Sequence, residues 1–417
     1  MQYVKAAGRR IKLSWNKPRR TDSWILASKV LLCWIAVSIV QNIAYGLYPG
    51  RFCWKQNQFV FNKLLGIYCL AVATFFGIFY GNRIWEDYDN GKIDLRNPIQ
   101  IYCYMNACVG LFNYVTQWTI MPEILSFQNS IPLFSTINFL NISMRSAGRP
   151  LVLACLKWFG CPLLLQLTLT LYHSQQNWMI TLKIMIPIYL ANQINNCFFG
   201  SMVMAELVIA EINNKLRSIV AEVNRLQTPS EMILQKRFYR MQRFCDLADR
   251  VDELKNKYTM STGYSIAYLE LTAFSLVVSM AINLISTTLG CYTLYQAVAD
   301  HLLLEQPYNV IQSLVHLVFI VVPFTEMYLL ARISQKAIEQ AKETGNMLQQ
   351  INQEHADIRF KQVVDAFWLD VSLIKYKLVP MGLFELNNSV TNIILSTVAG
   401  FLLFLIQNDL TLRFSLN

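Results

Sequence analysis

Apolar residues run along this chain in stretches of about membrane-crossing length, separated by short polar connections. A bilayer core about 30 Å thick needs roughly 20 apolar residues of helix. Stretches near that length lie at 24–46, 59–81, 99–120, 150–172, 179–205, 264–290, 308–331 and 381–408. Two polar segments between them keep a helical rhythm. In 229–257, Leu234, Phe238, Met241, Cys245, Ala248, Val251 and Leu254 recur every three or four residues. Phe360, Val364, Phe367, Val371, Ile374 and Leu378 do the same in 357–380, with Trp368 beside them. Both read as amphipathic helices. Spans 179–205 and 308–331 meet no Pro or Gly at their polar ends, so they are expected to project beyond the membrane.

The composition agrees. Of 417 residues, 54% are hydrophobic and 15% charged, against about 25% charged in an average soluble domain. The chain therefore reads as an all-α, polytopic membrane protein. The ten cysteines sit mostly in apolar runs, form no C-x-x-C pair and read as small buried hydrophobes. The four histidines are scattered. No metal site, cofactor motif, nucleophile–base pair or glycine-rich phosphate loop is evident, and an enzyme is not expected.

Lys and Arg counts set the orientation. Segment 210–257 carries ten and 332–380 carries seven, whereas 173–178 and 291–307 carry none. The first two are placed in the cytoplasm. If 24–46 crossed, the seven basic residues before it would lie outside and break the rule. Seven crossings are expected, with a cytoplasmic N-terminus and an extracellular C-terminus. Segment 24–46, interrupted by Lys29, Gln41 and Asn42, becomes an interfacial or re-entrant helix. The expected organisation is a cytoplasmic N-terminal segment (1–58), six spans with their cytoplasmic extensions (59–333), cytoplasmic anchor helices (334–380) and a seventh span with an extracellular tail (381–417). The net charge of +10 is accounted for by anionic inner-leaflet lipids, and nucleic acid is not implied. The orientation is opposite to that of G-protein-coupled receptors.

The last span carries the most informative polar pattern. At 100° per residue, Glu385, Asn388, Ser389, Asn392, Ser396, Gly400 and Gln407 share a sector about 120° wide. Ile394, Leu402 and Leu405 lie opposite. Lipid cannot satisfy such a stripe. It belongs either to a helix–helix interface or to a water-filled pore shared by several copies. On the pore reading Leu403 and Ile406 close the path, and Gln407, Asn408 and Asp409 form the mouth. In a tetramer Asp409 would give a negative ring favouring cations.

The run Gly400-Phe401-Leu402-Leu403-Phe404-Leu405-Ile406-Gln407-Asn408 resembles the insect gustatory-receptor signature, Thr-Tyr, five hydrophobic residues, then Gln-Phe. The stretch from Leu383-Phe384-Glu385 onward is similar to fly members, and length and topology agree along the whole chain. The resemblance implies a ligand-gated, non-selective cation channel of four related subunits, homomeric or heteromeric, in the plasma membrane of a sensory neuron dendrite. Its seventh span would have a cytoplasmic half (about 357–380) and a pore half (about 381–408). Gly400, Phe401, Gln407 and Asn408 stand at the motif positions. Asn408 replaces the aromatic expected there, which leaves open a gate at Ile406 or Leu403, or a modulatory subunit relying on partners. A transporter is the remaining alternative, without the paired broken helices usual for one.

The resemblance also implies a pocket for a small organic tastant in the outer half of the bundle. Residues of suitable chemistry there are Tyr102 and Asn106, Gln166 and Thr170, Trp178 and Tyr189, Asn283, Gln312 and His316. Lys183 is expected to reach the outer interface. Lys157, Glu270 and Glu326 are expected to pair or to couple pocket and pore.

Overall fold

The computed structural model describes residues 22–53, 58–93, 97–131, 144–172, 178–234, 237–304, 307 and 309–415. The N-terminal basic cluster that entered the orientation argument lies outside them. Nearly every described element is an α-helix. Helix α1 (Asp22–Ala44) leads into a small antiparallel hairpin, β1 (Gly50–Cys53) and β2 (Gln58–Phe61), with Gly50 opposite Phe61. Helices α2 (Lys63–Asp89), α3 (Pro98–Thr119) and α4 (Met121–Ser130) follow. Helix α5 (Met144–Cys155) passes through a π-helical turn (Leu156–Gly160) into α6 (Cys161–Tyr172). Then come α7 (Trp178–Leu226), the short α8 (Pro229–Leu234), α9 (Arg237–Leu304), α10 (Val310–Gln349), α11 (Ile358–Ile374) and α12 (Asn388–Ser415).

Several helices start where an Asn or Asp side chain caps exposed amides. Asn62 accepts from the Leu64 amide at 2.9 Å, and Asn309 from the Gln312 amide at 3.2 Å. Asn97 caps α3 with Pro98 in its first turn, where a missing N–H costs nothing. Asp357 caps α11 through the Arg359 amide at 3.1 Å.

Three helices outrun any bilayer. At 1.5 Å per residue, the 49 residues of α7, 68 of α9 and 40 of α10 extend about 70, 100 and 60 Å. Their extensions pack with α11 into one core that includes Leu216, Val223, Phe244, Val251, Ala341 and Phe360. Phe244 meets Phe360 with ring centroids 5.5 Å apart, and Tyr258 meets Phe367 at 5.6 Å. Asn213, fully buried, joins α7 to α10 by donating to the Gln340 carbonyl at 2.9 Å and accepting from Thr344 at 2.6 Å.

The amphipathic segments form with altered limits. The buried face of α9 starts at Phe244 and runs through Leu247, Ala248, Val251 and Leu254, while Phe238 is 74% exposed. The expected stripe through Phe238 thus begins two turns too early. The anchor helix does not continue to 380. Lys375 takes φ of 26°, and Val379 is extended before Pro380, as the clash of a proline ring with the preceding residue requires. Leu378 is buried all the same. The last helix begins at Asn388 rather than 381, so Glu385 precedes it.

Five helical stretches, within α2, α5–α6, α9, α10 and α12, are long and apolar enough to cross a membrane. Helices α3 and α7 fall below that threshold of apolarity because they carry the buried asparagines of the bundle interior, among them Asn106, Asn113, Asn192 and Asn195. Their polar residues face neighbours, not lipid.

Candidate pore helix and buried polar cluster

Helix α12 touches the rest of the subunit along one narrow face. Val390, Ile394 and Val398 are buried, spaced four residues apart, and Leu402, Leu405 and Ile406 are partly covered. This face packs on α9 and α10. The polar stripe lies on the other side. Asn388, Asn392, Ser396, Gly400, Leu403 and Gln407 are all exposed in the subunit. Nothing lies within 4 Å of where a Cβ on Gly400 would stand. Phe401 and Asn408 are exposed as well.

Asp409 does not belong to this stripe. It lies on the face turned toward the subunit, half-buried, where Tyr295 donates to its carboxylate at 3.3 Å and Arg413 at 2.6 Å. Arg413 also pairs with Asp300 at 2.7 Å. The helical repeat explains this, because position 409 falls some 300° from Asn388 at 100° per residue, beside Leu402 and Leu405. A ring of free Asp409 carboxylates is therefore replaced by an ion-pair cluster that ties α12 to the end of α9.

The residues expected to bind ligand separate into two groups. Tyr102, Asn106 and Asn283 come together: the Tyr102 hydroxyl donates to Asn283 at 3.2 Å, and the Asn106 amide to the Tyr102 carbonyl at 2.7 Å. Tyr102 packs edge-on against Phe319 of α10, and His316, nearly one turn earlier, is also buried. Tyr189 is half-buried and packs on the same cluster. Gln166 is partly covered, but Thr170 and Gln312 are exposed, and the Thr170 hydroxyl donates to the Gln166 carbonyl of its own helix at 2.8 Å. The Trp178 side chain lies outside the description.

The cluster extends further than the sequence reading took it. Asn192, Asn195 and Asn196 sit at spacings of three and four on α7, all buried. Asn192 donates to Glu326 at 3.5 Å and Asn195 to Ser279 at 2.6 Å. The side-chain carbonyls of all three make no hydrogen bond to another described residue, nor do His316 Nδ1 and Glu326 Oε2. The signal was available: Asn-Gln-Ile-Asn-Asn interrupts an otherwise apolar span. Lys157, on the π-helical turn, is buried with its ammonium 5.9 Å from the Phe199 ring centre. Of the acids expected to pair with it, Glu326 instead accepts from Asn192, and Glu270 is exposed. Lys183 is exposed and sits over Phe79 at 5.8 Å.

Comparison with known proteins places the chain. The family model of the 7tm Chemosensory receptor matches residues 36–412. The chain is 46% identical to a Drosophila melanogaster protein named gustatory receptor 97a, covering all of both sequences. It is 33% identical to gustatory receptor 94a of the same fly, covering 89% of this chain and 93% of that one. Among solved structures, the olfactory receptor OR5 from Machilis hrabei superposes with a TM-score of 0.58 at 12% identity, covering 93% of this chain and 100% of that one.

Proposed function

Since the chain belongs to the 7tm chemosensory receptor family, among its gustatory receptors, we propose that it is a subunit of a ligand-gated, non-selective cation channel that detects small organic tastants. The family is one of receptors rather than enzymes, and the chain is a multi-pass membrane protein. The observation that carries the channel reading is the outward-facing polar stripe of α12. A row of Asn, Ser and Gln side chains on a membrane-length helix cannot rest against lipid. One helix cannot enclose a conduit either, so copies must gather about an axis with these faces inward. We take four, homomeric or with related receptors, in the plasma membrane with the N-terminus and the α7, α9 and α10 extensions in the cytoplasm.

The ligand reading rests on the orphaned polar atoms. Buried acceptors without donors cost free energy, and a ligand hydroxyl or amine reaching Asn192, His316 or Glu326 would recover it. A ligand that satisfies them better in the open arrangement shifts the equilibrium to that state. Tyr102, Asn106 and Asn283 would form the wall. Outer closure falls to the exposed Leu403, with Gln407 beside it and Ile406 at the edge of the packed face. A modulatory subunit is the second reading, favoured by Asn408 at the position where the family signature has an aromatic.

The test is current under voltage clamp, from the chain alone and co-expressed with related receptors, on a panel of polar and apolar tastants. Ligand-evoked cation current that thiol reagents block in Asn392→Cys supports the pore assignment. Conduction indifferent to every substitution along the stripe removes it.

A further inference from the structure

A cavity of about 470 Å³ begins at Ile194, among the buried asparagines of α7, and follows that helix to Val208. None of the residues expected to bind ligand lines it. Its walls come from α1 (Trp34, Ser38, Asn42), from α7 (Cys197, Ala205) and from the first membrane turns of α9 (Ser261, Tyr268), with α4 and the π-helical turn closing the sides. The size falls within the roughly 300–1,000 Å³ of small-molecule sites.

Its chemistry is the reverse of the cluster's. The polar atoms around it are largely engaged already. Asn42 donates to the Ser38 carbonyl at 2.8 Å and to Cys197 Sγ at 3.2 Å. Tyr264 donates to the Ser130 carbonyl at 2.6 Å, Tyr48 to Gln128 at 2.5 Å and Thr272 to the Tyr268 carbonyl at 2.8 Å. Lys257, the cation at the rim, is paired with Glu253 at 3.0 Å. What remains is a neutral slot walled by rings: Phe127 stacks on Tyr268 with centroids 5.5 Å apart, and Trp34 meets Trp158 edge-on at 5.3 Å. Water has few partners in such a space, and apolar molecules are favoured there. The outward face of α1 is apolar too, with Val40 63% exposed, so molecules dissolved in the bilayer lie against the wall of the site.

We infer that this cavity is a second binding site, for an uncharged lipophilic molecule with at most one hydrogen-bonding group, such as a medium-chain alcohol. Its position couples it to the last helix. Ser265 in its wall shares a hydrogen bond of 2.8 Å with Tyr376 in the link between α11 and α12. Binding itself is independent of the channel reading and is measured without current.

The experiment uses the full chain in phosphatidylcholine nanodiscs and octanol carrying a diazirine photolabel, with adducts mapped by mass spectrometry. Labelling should concentrate in 34–42, 197–208 and 257–272 and be displaced by unlabelled octanol. It should fall to background in Ala205→Phe and in Ser261→Phe, each checked for an unchanged melting temperature. Displacement in the parent chain decides the matter even where a variant fails to fold. Adducts spread over the lipid-facing helices without displacement would overturn the proposal. So would a diazirine-bearing phospholipid tail that labels the same residues and resists octanol.

Discussion

Helices α10 and α12 have nearly the same apolarity, with mean hydropathies of 2.0 and 2.1 over their most apolar stretches, yet 56% of the first stretch is buried in the subunit and 17% of the second. Hydropathy tells that both cross a membrane and nothing about what each faces. The distinction lies in the arrangement of polar residues. In α10 the buried polar groups, Ser313, His316, Glu326 and Ser334, point into the bundle and join its interior. In α12 Asn388, Asn392, Ser396 and Gln407 point away from it. On the proposed reading, a helix that leaves such groups outside its own subunit finds its partner in another copy.

Matched substitutions sharpen that contrast. Ile333 of α10 is fully buried and Ile393 of α12 is 56% exposed. Ile333→Ala should cost about 2–5 kcal/mol through lost burial and the void left behind, whereas Ile393→Ala should stay within about 0.5 kcal/mol in the isolated subunit. Thermal melting of the detergent-solubilised chain checks both. Equal losses would mean that α12 is buried in a way the subunit does not display.

Next in size is the effect of Asn392→Leu, expected to leave surface expression unchanged while removing most of the current, since a dry position interrupts a polar conduit. Arg413→Gln should lower melting stability by about 1 kcal/mol, because its pairs with Asp300 and Asp409 are partly exposed. Asp409→Asn should then leave cation over anion permeability in reversal-potential measurements nearly unaltered. A large shift would put Asp409 back at the mouth. The smallest effect concerns Ser334, whose buried hydroxyl has no hydrogen-bond partner. Ser334→Ala should be neutral or stabilising by up to about 1 kcal/mol, seen as an unchanged or slightly raised melting temperature.

Much of this was legible from the chain alone. Angular arithmetic on α12 separates Asn392 and Ser396 from Ile394 and Leu402, and burial divides them the same way. The same arithmetic sets Asp409 apart from the stripe. Its position at the end of the run, next to Gln407 and Asn408, is what drew it into the mouth. Helix limits near Lys375 depend on a local backbone turn and on Pro380, so periodicity overran them. The cavity had no sequence signal, because its wall joins residues from Trp34 to Thr272 whose meeting depends on how α1 settles against Trp158. The asparagines of α7 were visible as a polar interruption, but their orphaned carbonyls emerge only once α3, α7 and α10 are packed.

The central claim is that the polar face of α12 meets its counterparts across a symmetry axis. Oxidative cross-linking between subunits tests it directly, in native-like membranes and on a background with the native cysteines replaced. Cysteines at Ser396 and Gln407 should join neighbouring copies into covalent oligomers, and cysteines at Ile394 and Val398 should not. Cross-linking confined to the Ile394 and Val398 positions, with Ser396 and Gln407 silent, would contradict the account.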